Sequence, residues 1–457
     1  MRFMDANQLD HVYEPGLQEI KAHLDHAASA RPKREFNILF SGGEPTISPH
    51  FLKAVEYASS IGLKRLHVAT NGIRFAKDDN FARAARAAGL HGVFLQIDGM
   101  TEEKNAHRGI ANYLDVKLKA IESISAAGMR VTLQVTVING LNNDALGPII
   151  EFAAKNSESI FGVLFQPIMF SGRDEAVDNE TRYRERYTLS QLASDLQAQT
   201  EVNWEPLRDW WPMASYSVFS TFVDMLKPNR ERGAVFVNSH PDSAVFSAII
   251  VNRETEDWYP IGSFFNFDRF LCDLEEIIDF ARGSTLSKAQ IALSVLRNLN
   301  AAKAPRGLRS IDLYRIFQQC MIRAVAGGND GWSEQLYDHD RWAIMFIGGS
   351  WFQDLFNYEL PNIQTSTAVV ADAGLDPAYC AGAEVAFSFK NAGGWRQIAE
   401  AARCAPSLSK WHREHGRHTI YSNHQFVPMG EVQSAPNARR SSSSSSTDAE
   451  EFTNVLG

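Results

Sequence analysis

The chain has 457 residues, 44% hydrophobic and 22% charged, which excludes wholesale disorder and is too long for one small core, so two folded units are expected. Its 45 basic and 54 acidic residues leave a net charge of −9, which excludes a general nucleic-acid or anionic-membrane binder, because each needs a cationic face. There is no run of ~18 apolar residues and no signal-peptide core, and the four cysteines (Cys272, Cys320, Cys380, Cys404) match neither a disulfide framework nor a short metal-binding pattern; a reduced, cytoplasmic protein without a membrane span is expected.

In chain order, the apolar run Phe36–Phe40 predicts a strand that ends in the loop Ser41-Gly42-Gly43. Apolar residues at helical spacing over Phe51–Ile61 stop at Gly62. A strand over Arg65–Ala69, a helix over Asn80–Ala88 closed by Gly89, and a strand over Gly92–Ile97 follow. The pattern then predicts a helix over Val116–Ala127, a strand over Arg130–Ile138, a helix over Leu146–Ala154 and a strand over Gly162–Gln166. Strands separated by helices of ~10–12 residues predict a parallel sheet, because parallel neighbours need crossover connections. The strands read as nearly continuous apolar runs, as expected with helices on one face and a core on the other. An open or closed β/α barrel is the first reading, and a doubly wound sheet is the alternative.

Asp174–Arg186 reads as a charged link, and Thr188-x-x-Gln191 as a capping box that opens the next helix. The segment Trp204–Pro428 is less regular, with helices predicted over Phe267–Arg282, Ser287–Asn298 and Ile311–Ala324. The chain thus divides into a partial barrel over residues 1–187, a C-terminal unit over 188–428, and a disordered tail over 429–457 that contains Ser441–Ser446.

Polar residues gather just after the predicted strands: Ser41–Glu44, Thr70-Asn71-Gly72, Gln96 and Asp98, and Gln166-Pro167. In a β/α architecture these positions share one end of the sheet, where ligands bind. The string Ser41-Gly42-Gly43-Glu44-Pro45-Thr46 is the most informative. Its glycines let the backbone approach a ligand, and a carboxylate beside them suits an ammonium group. The plainer reading is a tight turn with Glu44 near a helix N-terminus.

Taken with its neighbours, this string closely resembles the radical S-adenosylmethionine (SAM) superfamily. Thr70-Asn71-Gly72, Gln96-Ile97-Asp98-Gly99, Arg108-Gly109, Gln134–Val137 and Phe165-Gln166-Pro167 match the family in order. Val12–Pro15 and Phe170–Arg173 are similar to the tetraether lipid synthase-like branch. The resemblance implies an incomplete (β/α)6 radical SAM-type barrel with a mixed α+β C-terminal unit. It implies that Glu44 takes the methionine ammonium of SAM, with backbone contacts from Gly42 and Gly43. Asn71, Gln96, Asp98 and Gln134 would line the nucleoside side, and Gln166 would lie nearer an unknown substrate. The plainer role for each amide is to satisfy loop backbone groups.

The family's chemistry also needs a 4Fe–4S cluster held by a Cys-x3-Cys-x2-Cys loop, because thiolates select and stabilise the cluster. No cysteine here precedes Cys272, and the strand that should lead into that loop is not recognisable. By pattern, Arg2 before Phe3 takes the place of the last cluster cysteine. Ser239-His240-Pro241-Asp242-Ser243 and Phe387-Ser388-Phe389-Lys390-Asn391 resemble family segments in which cysteines stand where serines do here. Serine is a poor cluster ligand, since its alkoxide is inaccessible at neutral pH. Three expectations follow: a radical enzyme whose cluster loop lies outside this reading frame, a clusterless SAM-binding protein that assists an intact paralogue, or a non-radical barrel enzyme using Glu44 or Asp98 as acid or base. In the first two, SAM is the expected ligand.

The remaining motifs carry less. Cys320 sits in an apolar helical stretch, as small core residues do. His412, His415 and His418 recur every three residues, and His412 and His415 could share a metal on one helix face. Gly416 would end that helix, and the string is not the His-Glu-x-x-His of a zinc protease. Arg396 after Gly393-Gly394-Trp395 is a ligand contact or simply follows a packed tryptophan. Arg439-Arg440 before the serines would suit phosphorylation.

Overall fold

Residues 15–29, 37–41, 44–110, 112–170, 177–226, 233–234, 244–280, 284–325 and 341–350 are described by a computed structural model. Gly42 and Gly43, Cys380 and Cys404, the serine-bearing segments at 239–243 and 387–391, the histidines at 412–418, Arg396 and the Ser-rich tail lie outside them.

Five strands come first, and each pairs in parallel with the next: β1 (Asn37–Phe40), β2 (Arg65–Thr70), β3 (Leu90–Gln96), β4 (Arg130–Val137) and β5 (Ile160–Pro167). The helices Phe51–Ser60, Asp79–Ala88, Tyr113–Ala126 and Leu146–Lys155 cross between them. Their apolar faces join Leu66, Val68, Val93, Leu95, Val131, Leu133, Val163 and Phe165 in one core. The strand order never reverses, as a doubly wound sheet requires. The fold is therefore an incomplete, singly wound β/α barrel.

The strands are not continuously buried. In β2 and β4 the burial alternates residue by residue, so one face packs under helices and the other is half-open. That open face carries His67, Phe94, Gln96, Thr132, Gln134, Thr136, Leu164 and Gln166, each only partly buried. Both sequence periodicities are thus present at once: apolar residues toward the helices and mainly polar ones toward the concave side.

The sheet continues beyond residue 187. It adds β6 (Trp211–Pro212), β7 (Ala244–Asn252), β8 (Trp258–Pro260) and β9 (Trp342–Ser350). β9 pairs in parallel with β5 and antiparallel with β7, which also carries β6 and β8. Gly162 makes the β5–β9 approach possible, because a Cβ there would lie 2.4 Å from the carbonyl oxygen of Phe346. The two faces of β7 belong to different cores. Val245, Ile249 and Val251 join the barrel core with the helix Leu189–Gln199. Phe246, Ala248 and Ile250 join a second core, rich in phenylalanine, with the helices Ser217–Leu226, Phe267–Phe280, Ser284–Asn298 and Ser310–Val325.

The helix expected at Thr188 opens as a full capping box. The Gln191 amide donates to the Thr188 hydroxyl, and the Gln191 side chain accepts from the Thr188 amide. The charged segment before it is not merely a link. It contains the helix Asn179–Glu185, capped by Asp178, whose carboxylate accepts from Thr181 N at 2.7 Å. That helix buries no side chain, so no apolar period marks it. An amphipathic helix over Leu17–Ser29, not anticipated from the sequence, packs on Phe51–Ser60. Among the described residues, no helix is long and apolar enough to cross a membrane.

Candidate functional site

Glu44 lies just past β1 in extended backbone and caps the short 3-10 turn Pro45–Ile47. Pro45 suits the first position of that turn, where a missing N–H costs nothing. Glu44 Oε1 accepts from Thr46 N at 3.2 Å, Thr46 Oγ1 at 2.5 Å and Thr70 Oγ1 at 2.7 Å. Oε2 accepts from Asn71 N at 2.8 Å. Oε1 is crowded and Oε2 meets one donor here, so the capacity for a further donor lies on Oε2.

The end of β2 supplies the other half of this arrangement. Thr70 Oγ1 accepts from Gly72 N at 3.1 Å, and Asn71 Oδ1 accepts from Ile73 N at 3.0 Å. Gly72 has φ +79°, and a Cβ there would sit 2.5 Å from Leu95 Cδ1, so the turn requires glycine. Arg74 donates to the carbonyl oxygen of Thr46 and lies 4.1 Å over the Phe81 ring. From the Tyr113–Ala126 helix, Lys117 Nζ donates to the carbonyl oxygen of Asn71.

After β3 stands a buried charged cluster. Asp98 Oδ2 accepts from Arg108 Nε at 2.5 Å and approaches His107 Nε2 at 2.9 Å, while Oδ1 accepts from Thr136 N at 2.9 Å. Burial alone would raise the Asp98 carboxyl, but the His107 hydrogen bond and the Arg108 guanidinium outweigh it and hold the group below the usual carboxylate range. The loop is fixed around it: Asn105 Oδ1 accepts from Asp98 N at 3.0 Å, and Asn142 Nδ2 donates to Asp98 O at 2.9 Å. With the Gln96 amide oxygen facing the guanidinium, it accepts from Arg108 Nη2 and Nη1 at 2.8 and 2.9 Å. On the open face, Gln134 Nε2 donates to Gln166 Oε1 at 2.5 Å.

Glu44, Asn71, Gln96, Asp98 and Gln166 therefore stand at the carboxyl ends of neighbouring parallel strands, and Gln134 lies within β4 beside Gln96. They fall into three pairs. Glu44 and Asn71 are joined directly, Gln96 and Asp98 are joined through Arg108, and Gln134 and Gln166 pair with each other. Asp98 directs its carboxylate at protein groups. Gly42 and Gly43 are outside the described residues.

Four contributors were not anticipated as site residues: Thr46, Thr70, His107 and Lys117. The hydroxyls of Thr46 and Thr70 orient Glu44. Lys117 had a readable signal. It lies four residues from Tyr113 and three from Ala120, both buried, so a lysine occupies the apolar stripe of its helix.

Among the described residues, no group of three or more His, Cys, Asp or Glu side chains is placed to hold a metal ion. Cys272 is exposed on the Phe267–Phe280 helix, whose apolar face packs in the second core.

Residues 4–153 match the sequence model of the radical SAM superfamily. The chain is 28% identical over 368 residues to 7,8-dihydro-6-hydroxymethylpterin dimethyltransferase of Methanocaldococcus jannaschii, covering 79% of this chain and 69% of the relative. It is 28% identical over 163 residues to GTP 3',8-cyclase of Paracoccus denitrificans, covering 34% of this chain and 46% of that protein. A mycofactocin maturase of Mycobacterium ulcerans is 36% identical over 146 residues, covering 31% of this chain and 37% of that protein. Residues 4–153 are thus a radical SAM superfamily domain, and that superfamily uses SAM and a 4Fe–4S cluster. The two shorter matches span less than half of those relatives.

Proposed function

We propose that the chain binds SAM at the strand-end site, with the methionine ammonium on Glu44 Oε2. The observation that carries this is the Glu44 carboxylate, held by Thr46, Thr70 and Asn71 with acceptor capacity left on Oε2. An ammonium donating there gains a charge-assisted hydrogen bond without the cost of first ordering the carboxylate. Asn71 and Gln134 supply amide groups to the nucleoside, and Gln96 and Asp98 act through the placement of Arg108. Gln166 faces the substrate.

The residues of this sequence do not fit the cluster. The first cysteine is Cys272, and it is exposed on a helix of the second core. The site is therefore read as one that binds SAM, and reductive cleavage to a 5′-deoxyadenosyl radical is not assigned to these residues. A role beside an intact paralogue fits this reading. The likeness to the pterin dimethyltransferase covers most of the chain and makes a pterin the first substrate to try as a second ligand.

Isothermal titration with SAM tests the reading. Saturable binding that Glu44→Gln removes is the expected outcome. Equal binding by Glu44→Gln would overturn the assignment of the ammonium. Anaerobic iron and sulfide reconstitution followed by assay for 5′-deoxyadenosine tests the second part, and its formation would overturn the clusterless reading.

A further inference from the structure

Lys117 is fully buried, with 0% exposure. A lysine is rarely buried without a reason, since its ammonium loses hydration that few protein sites replace. Here the amine donates to the carbonyl oxygen of Asn71 and lies 3.8 Å from the centre of the Tyr113 ring. The amide of that same Asn71 donates to Glu44 Oε2 at 2.8 Å. Lys117 and Glu44 therefore grip the two main-chain groups of one residue from opposite sides.

We propose that Lys117 is a positioning residue for the SAM site, acting through the Asn71 main chain to fix both the Glu44 carboxylate and the Asn71 side chain. The rest of the turn leaves little freedom to compensate. Gly72 is held at positive φ against Leu95, and the Asn71 side chain is tied to Ile73 N. With the amine gone, the Asn71 carbonyl loses its side-chain donor. The Asn71 amide is then free to swing from Oε2, on the side where the ammonium would bind.

The electrostatic setting agrees with a conditional clamp. Burial lowers the Lys117 amine to about 7, with Arg108 acting in the same direction and Asp98 and Glu44 opposing. Besides these, Tyr113 lies on the same helix, and the neighbouring helix Ile73–Lys77 brings Arg74, which is engaged with Thr46 and Phe81. A protonated amine is the stronger donor, so the hold on Asn71 weakens as pH rises through neutrality.

The inference rests on the SAM reading for its ligand but not for its geometry, and two measurements separate them. Hydrogen exchange in residues 70–77 of the wild-type chain, corrected for intrinsic rates, is expected to quicken about threefold or more between pH 6 and pH 8. Lys117→Met should show the faster exchange at both pH values and should bind SAM about tenfold more weakly at pH 6. The variant should be no less stable than wild type below pH 7, because it removes a buried cation. Unchanged exchange, or altered exchange with unaltered SAM affinity, would overturn the role. If the variant does not fold, the wild-type pH series still decides. If wild type binds no SAM, the function proposal falls, while the exchange comparison still decides the clamp.

Discussion

Asp98 and Arg108 form a buried ion pair at 2.5 Å that links the β3 end to the following 3-10 turn, with 0% and 3% of their side chains exposed. Both groups are almost wholly removed from water, and the pairing offsets much of the hydration they lose. Asp98→Ala leaves the guanidinium unpaired and should destabilise the chain by roughly 3–5 kcal/mol in urea unfolding. The acid limb gives an independent check. The carboxyl is held below its usual range in the fold, so its contribution is complete above about pH 4 and is lost as pH falls through the lower folded value. Asp98→Asn should show a shallower loss of stability in that acid window.

Gly72→Ala should destabilise the chain by roughly 1–3 kcal/mol. Its added methyl would meet Leu95 Cδ1 at 2.5 Å and Ala120 Cβ at 3.2 Å, and the backbone sits at φ +79°. A thermal midpoint equal to wild type would contradict the turn described here.

Thr70→Val removes a donor to Glu44 Oε1 and the acceptor for Gly72 N. Loss of one such hydrogen bond is worth about 1 kcal/mol. SAM affinity should therefore fall by roughly fivefold in titration. The same substitution at Thr46 should act in the same direction, because its hydroxyl meets the same oxygen.

Thr188→Ala breaks the reciprocal cap of the Leu189–Gln199 helix. It should cost about 1 kcal/mol in urea unfolding and leave SAM binding unchanged, since the Thr188 hydroxyl bonds to Ser190 and Gln191 of its own helix.

Much of the barrel could be read in advance because two signals coincide. Apolar runs mark β2 to β5, and glycine ends such as Gly89, at φ +111°, punctuate the helices between them. The strand-end placement of Glu44 and Asn71 was legible because each closely follows a run that reads as a strand. Lys117 was missed although its place on the apolar stripe of its helix was readable, because helical periodicity invites one to discount a polar residue there. Arg108 could be seen in its motif, but its partners are separated along the chain and meet only in space. The helix after Asp178 was missed for a different reason: it buries nothing, so only its cap announces it. The pairing of β9 with β5 also depends on contacts at long sequence separation, which no local pattern reports.

That pairing sets an order of events during synthesis. β5 ends at Pro167 and its sheet neighbour begins at Trp342, so residues 168–341 must be made before the edge of β5 is covered by β9. At ~5–20 residues per second this interval lasts on the order of ten seconds or more. Throughout it, a nascent chain carries a barrel fragment with unpaired backbone groups along one side. The chain is thus most vulnerable to intermolecular strand pairing on the ribosome, and its yield should depend on how well chaperones shield that edge until the ninth strand arrives.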